Sequence, residues 1–247
     1  MSKNPLTILP VKKEAVATDD LNPVLPKHPF CAIFCAPPRA GKSNAICNML
    51  ANKNFYYGGK GDNPSYFDEI FYFSPTSRFD LTTKRVLDLL DNVVQIDNMD
   101  DLLNSYEIVS HIMDGQANWN EELEGRPRPK ILLVFDDCVG LFQKTGVSNL
   151  ATKYRHFGLS IIVVSQSYKR LPVTLRNCAT VLIWFNLMSA KEHTKLYEEF
   201  GSSIPDFWTH LKLLDKKYQF LYFHVEDQRL YHNFERLIWS KDDFLQS

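Results

Sequence analysis

Five short apolar runs, at residues 30–35, 69–73, 131–135, 161–165 and 181–185, punctuate the chain, with stretches between most of them long enough for a helix. Runs this short, apolar throughout, are strands buried on both faces, and such strands belong to parallel sheets whose crossovers are helices. The expected fold is therefore α/β, with a mostly parallel central sheet flanked by helices on both faces. Residues 43–50 and 81–90 carry helix-compatible apolar spacing, residues 100–113 do so more loosely, and 115–129, with two prolines, two glycines and several acidic residues, reads as a surface loop. Near the C-terminus, residues 218–225 and 230–234 flank Glu226-Asp227-Gln228, the pattern of an antiparallel hairpin closing one sheet edge.

A chain of 247 residues suffices for one sizeable domain and is short for two. Prolines at 5, 10, 23 and 26, with no periodicity, make residues 1–27 an extended arm and leave 28–247 as the domain. Lys+Arg 28 against Asp+Glu 29 gives a net charge of -1, which excludes nucleic-acid binding through a global positive field. Contact with phosphates then falls to local clusters, Lys169-Arg170 and Lys212 with Lys216-Lys217. Five cysteines without a CxxC pair are expected to be reduced core residues of an intracellular protein, with no zinc site. No signal peptide and no bilayer-spanning stretch is read, so a soluble chain without a membrane partner is expected.

Chemistry concentrates at the ends of three of the runs. The first leads into CAPPRAGKS, residues 35–43, and then a helix, which is the strand, loop and helix order of a phosphate-binding loop. Backbone amides from Ala36, Pro37, Pro38, Arg39, Ala40, Gly41, Lys42, Ser43 and Asn44, less the two prolines, are expected to cradle the phosphates of ATP. Lys42 is expected to reach the β- and γ-oxygens and Ser43 to ligate Mg²⁺. Ala36 stands where such loops usually carry their first glycine. The second run, ILLVFDDC at 131–138, delivers Asp136 and Asp137 to the C-terminal end of the sheet, where Asp136 would hold Mg²⁺ and Asp137 would act as general base on water. The third ends in Ser165-Gln166, whose amide suits sensing of a γ-phosphate.

Taken with FYFSPTSRFD, YRHFGLSIIVVSQSY and LPVTLRNCA, these motifs resemble the FtsK/HerA superfamily of P-loop NTPases (ASCE, RecA-like), and specifically the genome-packaging ATPases of poxviruses, giant viruses and virophages. The resemblance covers roughly residues 28–235 and implies several things. The strand bearing Gln166 would lie between the phosphate-loop strand and the Asp136 strand. Subunits would form a homo-oligomeric ring that drives double-stranded DNA into a capsid, with capsid or portal-vertex proteins as partners, in the host cytoplasm, a viral factory or the virion. An arginine would act in trans. Chain order puts Arg176 nearer the phosphate end and Arg155 at the opposite end of the Gln166 strand; motif resemblance makes Arg155 the competitor. An Asp at 137, where relatives commonly carry Glu, shortens the reach of the base. A helicase or another DNA translocase of the same fold, and a small-molecule phosphotransferase, are the alternative readings.

Overall fold

The computed structural model describes residues 21–57, 65–138, 140, 147–186 and 189–244. Nine strands occur among these residues: β1 (Cys31–Cys35), β2 (Glu69–Phe73), β3 (Val93–Ile96), β4 (Ile131–Asp136), β5 (Leu159–Ser165), β6 (Val181–Phe185), β7 (Phe220–His224), β8 (Arg229–His232) and β9 (Arg236–Ser240). The helices are α1 (Lys42–Ala51), α2 (Leu81–Leu87), α3 (Met99–Leu103), α4 (Ser105–Ala117), α5 (Glu121–Glu124), α6 (Val173–Asn177), α7 (Ala190–Glu199), α8 (Phe207–Leu211) and α9 (Lys241–Phe244).

All strands join one sheet in the order β3-β2-β4-β5-β1-β6-β7-β8-β9. From β3 to β6 the pairing is parallel, and from β6 to β9 it is antiparallel. Successive side chains on a strand point to opposite faces, so the apolar strands feed two cores. Cys31, Ile33, Ile161 and Val163 face one, with α4 (Val109, Ile112) and α7 (Leu196) packed on it. Ala32, Phe34, Ile162 and Val164 face the other, with Ile46, Met49 and Leu50 of α1 packed there. Helices on both faces explain why the strands read as unbroken apolar runs.

The five expected strands and the α/β class are present, and the hairpin is β7–β8. Two strands were not foreseen. β3 is a four-residue edge strand, VVQI, whose Val94 is exposed, so it lacks the buried signature. β9 extends the hairpin to a three-strand meander, joined through an irregularity at Leu230/Tyr231. The loosely patterned helix at 100–113 is two helices, α3 capped by Asn98, whose side chain accepts from the Asp101 amide, and α4. Of the stretch expected as a loop, residues 115–117 finish α4, and beyond them the chain makes one further helical turn, α5, opened by Asn120 and closed by Gly125 in the left-handed region at φ 65.

Of the expected arm, residues 1–20 lie outside the described residues. Residues 21–27 lie against the second core, where Leu25 is buried. The Tyr222 hydroxyl donates to the Val24 carbonyl at 2.6 Å and that of Tyr56 to the Pro26 carbonyl at 2.8 Å. All five cysteines are free thiols, four of them buried, and among the described residues no helix is long and apolar enough to cross a membrane.

Candidate active site

The parallel strands run the same way, so their C-terminal ends form one rim, and the rim at the centre of the sheet carries the expected residues. β1 continues its ladder one residue beyond Cys35: the Ala36 amide donates to the Ser165 carbonyl at 3.1 Å. Ala36 is fully buried there, which explains a small residue at the first loop position. Pro37 and Pro38 carry no N–H. Beyond them Arg39 and Gly41 both adopt left-handed backbone, at φ 60 and 103, the conformation in which loop amides converge on an anion.

Helix α1 follows at once. No side chain caps its N-terminus and no acidic residue occupies its first turn, so its leading amides and the positive end of its dipole are left for a ligand. Lys42 is 8% exposed. Its ammonium donates to the carbonyls of Ala36 and Pro37 at 3.2 and 3.3 Å, which seats the charge in the throat of the loop. Beside it Ser43 is half-buried and Asn44 exposed.

Asp136, the last residue of β4, is 5% exposed. Its Oδ2 accepts from the Tyr72 hydroxyl at 2.9 Å. Burial, and secondarily the Asp137 charge, raise its carboxyl to about 6, while the Tyr72 hydrogen bond and Lys42 pull it down. Asp137 turns out of the strand with φ 55 and is exposed. Gln166 Nε2 donates to Asp137 Oδ1 at 3.3 Å, so the ends of β4 and β5 meet through these side chains.

The donor set fits Mg²⁺. That ion keeps several waters and takes one or two carboxylates plus substrate phosphates instead of an all-protein cage. Asp136, with Oδ1 outside the Tyr72 bond, and the Ser43 hydroxyl at the start of α1 are such a set. No cluster of three or more metal-ligating side chains occurs among the described residues.

Sequence reasoning missed three contributors. Tyr72 sits inside the apolar run EIFYF, where its polar tip gives no local signal; the parallel register of β2 on β4 aligns it with Val134 and so brings it near Asp136. Glu192 on α7 accepts from the Ser167 hydroxyl at 2.7 Å and from the Lys169 amide at 3.1 Å, anchoring the segment that carries Gln166. Tyr218 packs its ring against Gly41, where an added Cβ would lie 2.8 Å from its Cδ1.

The arginines part company. Arg155 lies before β5, at the rim opposite the loop, with its side chain 55% exposed and paired with Glu226. Its Nε also donates to the Tyr154 hydroxyl at 2.9 Å. Arg176, which chain order made the better-placed candidate for action in trans, is buried. Its side chain is 7% exposed, pairs with Glu199 and lies 5.2 Å from the Tyr168 ring centroid. A guanidinium committed inside its own subunit is poorly placed to reach a neighbour. Lys169, Arg170, Lys212, Lys216 and Lys217 are all exposed. The register of β7 on β6, Phe220 opposite Phe185, puts the 216–217 pair toward the same rim as the phosphate loop.

A sheet with β5 inserted between β4 and β1, a glycine-hinged loop feeding a helix, and two carboxylates at the neighbouring rim together define a P-loop ATPase fold of the RecA-like kind. The family model of the Poxvirus A32 protein matches residues 81–199, a span that holds Asp136, Asp137 and Gln166. The chain is also similar to the genome-packaging NTPase B204 of Sulfolobus turreted icosahedral virus 2 in complex with AMPPCP, at 14% identity and TM-score 0.57, over 83% of this chain and 97% of that one. B204 of Sulfolobus turreted icosahedral virus, described as a DNA-packaging ATPase, gives 16% identity and TM-score 0.55 over 84% and 98%. The pCW3 conjugation coupling protein TcpA with ATPgS gives 15% and 0.55 over 87% of this chain and 62% of its own. No curated protein matches the sequence. The family model agrees with the viral resemblance read from the motifs, and the solved structures share the fold.

Proposed function

We propose that the chain is the ATP-hydrolysing subunit of a viral DNA-packaging motor, acting as a homo-oligomeric ring that moves double-stranded DNA into a capsid. The observation that carries this reading is the convergence of Lys42 in its loop with Asp136, Asp137 and Gln166 at the adjoining strand ends. The A32 match and the B204 likeness supply the packaging context.

Lys42 and the α1 amides bind and orient the triphosphate. Ser43 and Asp136 would hold Mg²⁺, which would supply charge neutralisation at the phosphate oxygens. Asp137 accepts a proton from the attacking water, and its hydrogen bond to Gln166 lets the amide respond when that carboxylate turns to its task. An arginine from the neighbouring subunit completes the charge around the transferred phosphoryl group. Lys169-Arg170 and Lys212 with Lys216-Lys217 contact the DNA backbone without reading sequence. Capsid or portal-vertex proteins are the proposed docking partners, in host cytoplasm, viral factory or virion; residues 1–27 serve as an arm appended to the ATPase domain at 28–247.

The test is ATP turnover as a function of protein concentration, with and without long double-stranded DNA. Turnover rising with both, and lost in Lys42→Ala, supports a DNA-gripping ring. Turnover indifferent to both removes the motor. The likeness to TcpA favours a second reading, a DNA translocase outside virion assembly; packaging of DNA into purified capsids in the presence of the chain decides between them.

A further inference from the structure

Helices α3 and α4 follow one another with only Asn104 between them. Leu102, Val109 and Ile112 form their buried row, packed into the first core. Met99, Leu103 and Tyr106, at the four- and three-residue spacing of one helix face, are exposed instead. Half of the twelve exposed large hydrophobics among the described residues fall within residues 86–125. Beside the stripe, at seven-residue intervals, stand Asp100, Glu107 and Asp114, all exposed.

Charge is segregated in the same span. Residues 86–125 hold ten carboxylates and no lysine or arginine, so the rest of the chain carries 28 basic against 19 acidic residues. The net charge of -1 therefore conceals an acidic stretch in an otherwise basic molecule. Carboxylates repel a DNA backbone, and an apolar stripe edged with them is complementary to an apolar segment edged with lysines.

The chain contains such a segment. Residues 3–13, which lie outside the described residues, read KNPLTILPVKK, with three lysines, no acidic residue, and Leu6, Ile8, Leu9 and Val11 among them. The start of the described chain lies on the other face of the sheet from α3 and α4: Leu25 is in the second core and the Val24 carbonyl accepts from Tyr222 of β7. Lys13 is eight residues from Leu21, a link of about 26–29 Å when fully stretched. Rounding the sheet and its helix layers uses up that length, whereas a neighbouring copy can offer its own face directly.

We propose that residues 3–13 of one subunit dock on the α3–α4 face of the next. Lys12 and Lys13 lie along the column of Asp100, Glu107 and Asp114, and the apolar residues of the segment cover Met99, Leu103 and Tyr106. The inference rests on the ring of the proposed function: two different patches, one on each partner, make the head-to-tail contact that a closed ring requires.

Sedimentation of the full chain tests the contact through charge reversal on either side. The arm variant is Lys3→Glu/Lys12→Glu/Lys13→Glu, and the face variant is Asp100→Lys/Glu107→Lys/Asp114→Lys. Each is expected to associate about 10- to 100-fold more weakly than wild type. Mixed one to one, the two variants present opposite charges at every alternating contact, and association should return to within about threefold of wild type. That recovery would also show that neither variant is misfolded. A mixture as weak as its components, as an arm folded on its own subunit would give, overturns the docking and leaves the ring intact. So does association indifferent to both reversals, which would leave the face to a different protein. Wild type that sediments as a monomer at every concentration, with Mg²⁺-ATP and DNA present, overturns the ring and the docking with it.

Discussion

The Tyr72 hydroxyl donates to Asp136 Oδ2 at 2.9 Å, joining β2 to the end of β4 inside the rim of the sheet. The bond takes one carboxylate oxygen and fixes the plane of the group, so the other is presented in a set direction. Such outer partners of a metal ligand commonly account for about 10- to 100-fold in metal affinity or activity. Tyr72→Phe keeps the ring and loses the bond. The Mg²⁺ concentration for half-maximal ATP turnover is expected to rise about tenfold, with a stability loss of about 1 kcal/mol. An unchanged Mg²⁺ requirement would show that the bond serves packing alone.

Burial of the Asp136 carboxyl carries a cost. Burial lifts its carboxyl from an ordinary 3.8 to about 6. The unfolded chain ionises first, so this group's stabilising contribution is full below about pH 4 and is lost as pH rises through 6. Asp136→Asn keeps an acceptor for Tyr72 and carries no charge. Metal-free, it is expected to be more stable than wild type at pH 7.5, by about 1–3 kcal/mol, and no more stable near pH 4. Thermal melts across that range check the sign; a gain that persists undiminished at pH 4 would count against a titrating Asp136.

The two arginines should fail differently. Arg176→Ala removes the buried partner of Glu199, which keeps Tyr168 and Lys195, so the lost charged hydrogen bond is expected to cost about 1.5–3 kcal/mol. Arg155→Ala breaks a solvent-screened pair of about 0–1 kcal/mol. A lowered melting temperature is therefore expected for Arg176→Ala only. If Arg155 acts in trans, its variant melts normally and loses about 10³- to 10⁵-fold in turnover. Normal turnover in a well-folded Arg155→Ala variant would transfer the search to other exposed arginines.

Gly41 is required twice over, by φ 103 and by the Tyr218 ring that a Cβ would meet at 2.8 Å. Gly41→Ala is expected to lose about 1–2 kcal/mol from backbone strain alone, and more while Tyr218 is present. Gly41→Ala/Tyr218→Ala should recover the contact part and keep the strain part, which a double-mutant cycle on melting free energies measures. Strict additivity of the two substitutions would show that the ring yields freely.

Much of this molecule is legible in windows of ten residues or fewer. Strands buried on both faces announce themselves as apolar runs, so β1, β2, β4, β5 and β6 were foreseen. The loop from Ala36 to Ser43 is local by construction, since its strand, turn and helix are contiguous. β3 and β9 were not, because edge strands keep one side in solvent and Val94 or Leu237 can stay exposed. Gln166 came into view from its place at a strand end, and its neighbourhood from family resemblance, which the order β4-β5-β1 then met.

The sequence by itself determined the parallel α/β class and the phosphate-loop pattern, because both are written in the order of neighbouring residues. Tertiary structure decided what those motifs meet. Parallel registry set Tyr72 against Asp136, packing of α7 buried Arg176 on Glu199, and the return of the chain at β7 laid Tyr218 on Gly41. Each of these joins residues at least 23 positions apart. Such encounters depend on how whole strands and helices stack, and no local pattern of apolar and polar residues encodes them.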